Sequence, residues 1–176
     1  MAQEETGSGG EETWEDVIAL GVAANMAGRH DEAAKTFATA MVKASAFGAE
    51  DLRVSATLDH LAAALMPAGR HQEAEDALSR SIAIWEKNLG PHHPTYSFVA
   101  ERLQILAEVL TAQAKYDEAE AALRRAWDIL QRTLGPRHSD LAPLLETYAA
   151  LLRKMGRNDD ADAIDQQGGR LYFPMR

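Results

Sequence analysis

The chain is 176 residues long and 46% hydrophobic, with 27 acidic against 18 basic side chains and a formal net charge of −9. That balance, with no visible basic stripe, argues against a phosphate-backbone partner, and a chain without cysteine has neither disulfides nor thiol chemistry. No apolar run is long enough to span a bilayer, and the N-terminus lacks the basic start and apolar core of a secretory signal, so the chain reads as cytoplasmic, with no direct membrane insertion.

Residues 1–12, rich in Glu, Gly and Ser, read as a disordered acidic tail. Thr13, with Asp16 three residues on, predicts a capping box that opens the first helix. Val17, Leu20, Gly21 and Ala24 form an apolar stripe at helical spacing, and after a turn a second stripe runs through Ala33, Phe37, Ala40, Met41 and Ala44. The pattern then begins again. First helices carry Leu58-Leu61-Ala62-Leu65, Leu103-Leu106-Ala107-Leu110 and Leu145-Tyr148-Ala149-Leu152, with a small residue at the third place each time. Second helices carry Ala74-Leu78-Ser81-Ile82-Trp85 and Ala119-Leu123-Ala126-Trp127-Leu130. The turns between them match as well, from Gly28-Arg29-His30 and Gly69-Arg70-His71 to Ala114-Lys115-Tyr116 and Gly156-Arg157-Asn158. The alanines that follow, Ala33, Ala74, Ala119 and Ala161, recur at steps of 41, 45 and 42 residues.

A fixed period of this size means stacked helix-turn-helix units, none of which buries its apolar face alone. The repeats span about 13–47, 50–89, 94–134 and 138–167. Repeat 3 carries three extra residues, placed around Thr95 to Phe98 at the start of its first helix. In repeat 2, Pro67 is expected to kink the end of the first helix and to turn Met66 towards the groove. In repeat 4, Asp165 stands where Phe37, Leu78 and Leu123 stand in the others, and Gly168-Gly169 is expected to end the helix early. The polar residues around Asp159 to Gln167 then read as a solvated cap. Residues 168–176 read as an apolar tail in which Leu171, Tyr172, Phe173 and Met175 either seal the last helix or dock on a partner or a second copy.

Leu20-Gly21 and Ala33-x₃-Phe37 reproduce part of the tetratricopeptide pattern. The joints Leu89-Gly90-Pro91-His92-His93-Pro94 and Leu134-Gly135-Pro136-Arg137-His138-Ser139, with Phe47-Gly48 as a degenerate copy, resemble those of the kinesin-light-chain-like subtype. The resemblance runs from about Trp14 to Ile164 and implies an all-α fold, a right-handed α-solenoid of four repeats with the last truncated. It also implies a concave surface lined by the first helices. Projected onto this sequence, that surface carries Glu15, Ile18, Val22 and Asn25, then Asp59, His60, Ala63 and Met66. Glu101, Gln104, Glu108 and Thr111 follow, then Glu146, Ala150 and Arg153.

Some members of the family hold a peptide carboxylate with paired Lys and Asn at these places. Here acids and alkyl groups stand instead, with Asn25 alone as an exception. The groove is expected to be apolar at the repeat 1 end and acidic through the middle, suited to a protein partner whose peptide joins Lys or Arg to apolar anchors. The alternative is that these acids only solvate an exposed face.

Nothing points to chemistry. There is no phosphate-binding Gly loop, nucleophile elbow or HExxH sequence. His92 and His93 sit in a joint, His93 and His138 fit a structural role there, and His30 and His71 occupy the turn. No catalytic residue, metal site or cofactor is therefore expected. The expected function is a non-catalytic adaptor or scaffold, the alternatives being a dedicated small chaperone for an apolar client segment or a permanent accessory subunit.

Overall fold

The computed structural model describes residues 12–91 and 93–172. The sequence-predicted N-terminal tail therefore lies outside the described residues up to residue 11, as do Phe173 and Met175 of the C-terminal one.

Eight α-helices follow one another among the described residues: α1 (Trp14–Met26), α2 (His30–Ser45), α3 (Leu52–Leu65), α4 (His71–Asn88), α5 (Ser97–Ala112), α6 (Tyr116–Leu134), α7 (Ala142–Lys154) and α8 (Asn158–Tyr172). Each odd-numbered helix packs against the next to form a hairpin, and each hairpin packs on its neighbour through α2–α3, α4–α5 and α6–α7. The result is an all-α solenoid of four units.

Local chemistry sets the ends. The Thr13 hydroxyl accepts from the Asp16 amide at 3.2 Å while Asp16 Oδ2 accepts from the Thr13 amide at 2.9 Å, closing the capping box. The joint histidines cap the short 3₁₀ turns Pro94–Tyr96 and Ser139–Leu141: the Nδ1 atoms of His93 and His138 each accept a backbone N–H at 3.3 Å. Within the hairpins the chain reverses through a left-handed residue, Gly28, Gly69 and Gly156 in three repeats but Ala114, at φ 59°, in the third.

The packing stripes are buried, and the small residues explain how the helices approach. Ala33, Ala40, Ala62, Ala74, Ala107, Ala119, Ala126 and Ala149 are fully buried. At Gly21 a Cβ would run into the ring of Phe37, so only glycine lets α1 lie on α2 there. Leu20, expected to pack, is 56% exposed. Its counterparts Leu61, Leu106 and Tyr148 are half-buried, packed on the core beside the preceding repeat; no helix precedes α1 among the described residues.

Two further expectations are corrected. Pro67 does not kink α3, because the helix stops at Leu65 with Met66 as its cap and the proline falls in the turn. Gly168-Gly169 does not end α8, which runs on to Tyr172. Gly168 is buried, in the register that Ala40, Ser81 and Ala126 hold in the other second helices, and a Cβ there would meet Leu145 at 3.8 Å, so a minimal side chain fits the helix interface. Leu171 and Tyr172 consequently lie in the last turn of α8. The three extra residues of repeat 3 lengthen a helix: α5 has 16 residues where α7 has 13.

Ion pairs tie adjacent hairpins at one recurring place. Glu75 Oε2 accepts from Lys115 Nζ at 2.6 Å and from Gln113 Nε2 at 2.6 Å, and one repeat on Glu120 Oε2 accepts from Arg157 Nη1 at 2.9 Å. Tyr148 and Arg124 donate to the other oxygen of Glu120, each at 2.7 Å. Burial pushes both carboxyls up, but these hydrogen bonds outweigh it and hold both below the usual glutamate range.

Two measurements check this account. By thermal unfolding, Gly21→Ala lowers stability by about 1–3 kcal/mol through overpacking against Phe37, whereas Ala114→Gly raises it by about 0.5–1 kcal/mol because glycine takes a positive φ without strain. Glu120→Gln costs about 1–3 kcal/mol near neutrality. Because the native carboxyl titrates below its unfolded value, its contribution is full above the ordinary glutamate range and disappears as pH falls through the native value, so the two unfolding curves converge in acid.

Candidate functional site

The first helices α3 and α5 leave a pocket of about 410 Å³ between them. α3 supplies Asp59 and Ala63 with Met66 as its cap, α5 supplies Glu101, Arg102, Ile105 and Glu108, and Leu78 of α4 with Pro67 of the turn completes the lining. Helical spacing accounts for both walls: Asp59, Ala63 and Met66 are four and three residues apart, as are Glu101, Ile105 and Glu108. Of the residues projected onto the concave surface, Asp59, Ala63, Met66, Glu101 and Glu108 line this one hollow.

The electrostatics differ from the expectation. Asp59 is not a free acid. Its Oδ2 accepts from Arg102 Nε and Nη2 at 2.8 and 2.5 Å, and its Oδ1 accepts from Ser81 Oγ at 2.5 Å. Arg102 is further held by the Phe98 carbonyl at 2.8 Å and lies over the Trp85 ring, 4.8 Å from its centroid. This arginine, with Ile105, escaped the sequence reading. The available signal was its spacing: Arg102 follows Glu101 directly and stands three residues before Ile105, on the same helix face. With Asp59 and Arg102 neutralising each other, Glu101 and Glu108 supply the surplus negative charge. Glu101 is exposed, 4.0 Å from Arg102 Nη1. Glu108 stands beside apolar walls, and partial burial pushes its carboxyl above the usual range.

Around this centre the predicted residues scatter. Gln104 donates to Thr147 Oγ1 at 2.8 Å, bridging α5 to α7, and with Glu101 lines an adjoining hollow of about 500 Å³ that reaches Asp140 and Pro143. Glu146 is exposed on α7. Ile18 and Val22 are half-buried against the core of repeats 1 and 2 and add less open apolar surface than expected. His60 stacks on Phe37 with ring centroids 5.4 Å apart, and burial lowers its pKa, so it is a neutral packing residue at the α2–α3 joint. Asn25 Oδ1 meets His30 Nδ1 at 2.7 Å and closes the first turn. Arg153 reaches Asp162 and Asp165 on α8. Glu15 is exposed at the start of α1, where its charge acts on Arg53. No group of three potential metal-binding side chains occurs among the described residues, nor any helix long and apolar enough to cross a membrane.

The tetratricopeptide-repeat family model matches residues 53–103 and 99–168. The chain belongs to the tetratricopeptide-repeat family. Among solved structures, this repeat protein is similar to a variant of the kinesin-light-chain TPR-like repeats of Podosopora anserina, at 23% identity, TM-score 0.81, 93% of this chain and 78% of the other. BtubC (BKLC) of P. vanneervenii matches at 20% identity and TM-score 0.78, over 90% and 63% of the two chains. MamA matches at 16% identity and TM-score 0.67, over 92% and 79%. These identities establish the fold, a kinesin-light-chain-like solenoid. No curated protein matches the chain in sequence. Tetratricopeptide-repeat proteins are generally non-catalytic interaction modules, and the fold is that of a protein–protein scaffold.

Asp59→Ala takes from Arg102, only 17% exposed in its side chain, the carboxylate that hydrogen-bonds it and leaves only exposed Glu101, 4.0 Å from its Nη1. The expected outcome is a loss of about 1–3 kcal/mol in denaturant unfolding, with most of it recovered in the Asp59→Ala/Arg102→Met double variant; equal loss in both variants shows the pair to be inert.

Proposed function

We propose that this repeat protein is a non-catalytic adaptor that holds a peptide or helical segment of a partner protein along its first-helix face, centred on the α3–α5 pocket. The observation that carries the reading is the pairing of an apolar wall, Ala63, Met66 and Ile105, with two carboxylates, Glu101 and Glu108, that no internal cation neutralises in full. Such a pocket suits an aliphatic side chain next to a Lys or Arg, with desolvation strengthening the charge contact. The adjoining hollow lined by Glu101 and Gln104 extends the track towards α7. A cytoplasmic setting fits this role.

The test is affinity capture from an extract of the source cells, comparing wild type with Glu101→Lys/Glu108→Lys. Both residues are surface-facing, so circular dichroism is expected to be unchanged. Partners retained by wild type are expected to be lost from the double variant and to weaken with added salt. Undiminished capture by the variant would falsify the acidic-pocket reading. Because the Glu108 carboxyl is raised, its charge is lost on acidification at a pH above the ordinary glutamate range, and capture declines there.

A further inference from the structure

The recurring Glu75–Lys115 and Glu120–Arg157 ties define a place in the repeat that one joint lacks. Counting back one repeat from Glu75 reaches Ala34, and from Lys115 reaches Arg70. At the α2–α3–α4 joint the cation is therefore present and its carboxylate is missing. The cations themselves show the difference. Arg157 gives Nε to Asp160 at 2.7 Å within its own helix start and Nη1 to Glu120 of the preceding repeat at 2.9 Å. Arg70 makes the same local contact, Nε and Nη2 to Glu73 at 2.7 Å each, but across the joint its Nη1 faces only exposed Asp31 at 3.9 Å, beyond hydrogen-bond range.

The missing side chain leaves space. A pocket of about 410 Å³ opens beside Ala34 and Arg70, with Leu58, Leu61 and Leu65 as its floor and Lys35 and Arg80 at its rim. The acids in its lining are engaged: Glu73 holds Arg70, and Asp76 accepts from Gln72 Nε2 at 3.2 Å. The equivalent place at the α6–α7–α8 joint, beside Arg124 and Tyr148, is a hollow of only about 170 Å³, because Trp127, Tyr148 and Ile164 crowd it.

We infer that this pocket is a second docking site, separate from the α3–α5 pocket, and that it receives an Asp or Glu side chain of a partner protein flanked by an aliphatic residue. The partner's carboxylate takes the place that Glu75 and Glu120 occupy within the chain and bonds Arg70 Nη1, while its aliphatic neighbour covers Leu58, Leu61 and Leu65. Lys35 and Arg80 favour the same sign of charge. The chain thus carries sites of opposite preference, one for a basic segment and one for an acidic segment.

The test begins with selection of peptides on the full chain from a random library displayed on phage, followed by fluorescence anisotropy with the labelled synthetic peptides. Ala34→Glu supplies the missing carboxylate within the chain, and Arg70→Gln removes its partner. The expected result is a class of peptides with an acidic residue beside an aliphatic one, weakened about tenfold by either variant and untouched by Glu101→Lys/Glu108→Lys. Replacing the peptide's acid by its amide gives the same loss. Should Ala34→Glu fail to fold by circular dichroism, Arg70→Gln, a change at an exposed side chain, decides alone. The inference is overturned if no selected peptide depends on Arg70, or if those that do carry no acid. It is also overturned if binding emerges only after removal of residues 1–11, since the glutamates of that segment would then be the occupant.

Discussion

Close approach between helices is the constraint on which this molecule rests. Each hairpin must bring its second helix onto its first and both onto the next hairpin, with only small side chains where the backbones meet. Gly21 under Phe37, Ala62, Ala107 and Ala149 at the matching place, and Ala40, Ser81, Ala126 and Gly168 on the second helices are the same solution found repeatedly. Larger residues flank these points and fill the space between layers, so the core is a chain of small contacts rather than one central cluster. A stack built this way leaves side chains exposed on both faces.

Polar groups at the joints then add direction. Carboxylates at Glu75 and Glu120 fix how one hairpin sits on the next, and Asp59 with Arg102 and Ser81 does the same from the other face. A joint ion pair that is mostly buried resists removal of one partner more than it contributes as a pair. Such pairs therefore specify geometry. They also decide which charges remain for a ligand: of the acids around the α3–α5 pocket, the structure consumes Asp59 and leaves Glu101 and Glu108 for the surface.

The sequence made the repeat legible because burial acts on every copy alike, so Ala33, Ala74, Ala119 and Ala161 recur in register whatever surrounds them. The capping box at Thr13 was legible for a local reason, being complete within four residues. Charge pairing was not. Arg102 reaches Asp59 across 43 positions, and Lys115 reaches Glu75 across 40. Whether an acid is free or consumed depends on such partners, which is why Asp59 was grouped with Glu101 and Glu108. Two glycines in succession usually close a helix, yet α8 continues through Gly168 because its packing on α7 overrides propensity. His60 and Asn25 face neighbours that projection from one helix could not reveal.

The longer α5 has a consequence for how a bound chain is read. In a stack of identical units, an extended ligand that slips by one unit meets the same surface again. Here three added residues advance the start of α5 by about 4.5 Å and bring Phe98, 39% exposed, beyond the line that α7 holds. The spacing of equivalent surface positions is therefore uneven along the solenoid, and one stretch is out of step with the next. The irregular helix gives the solenoid an origin, because its surface does not map onto itself when shifted by one unit.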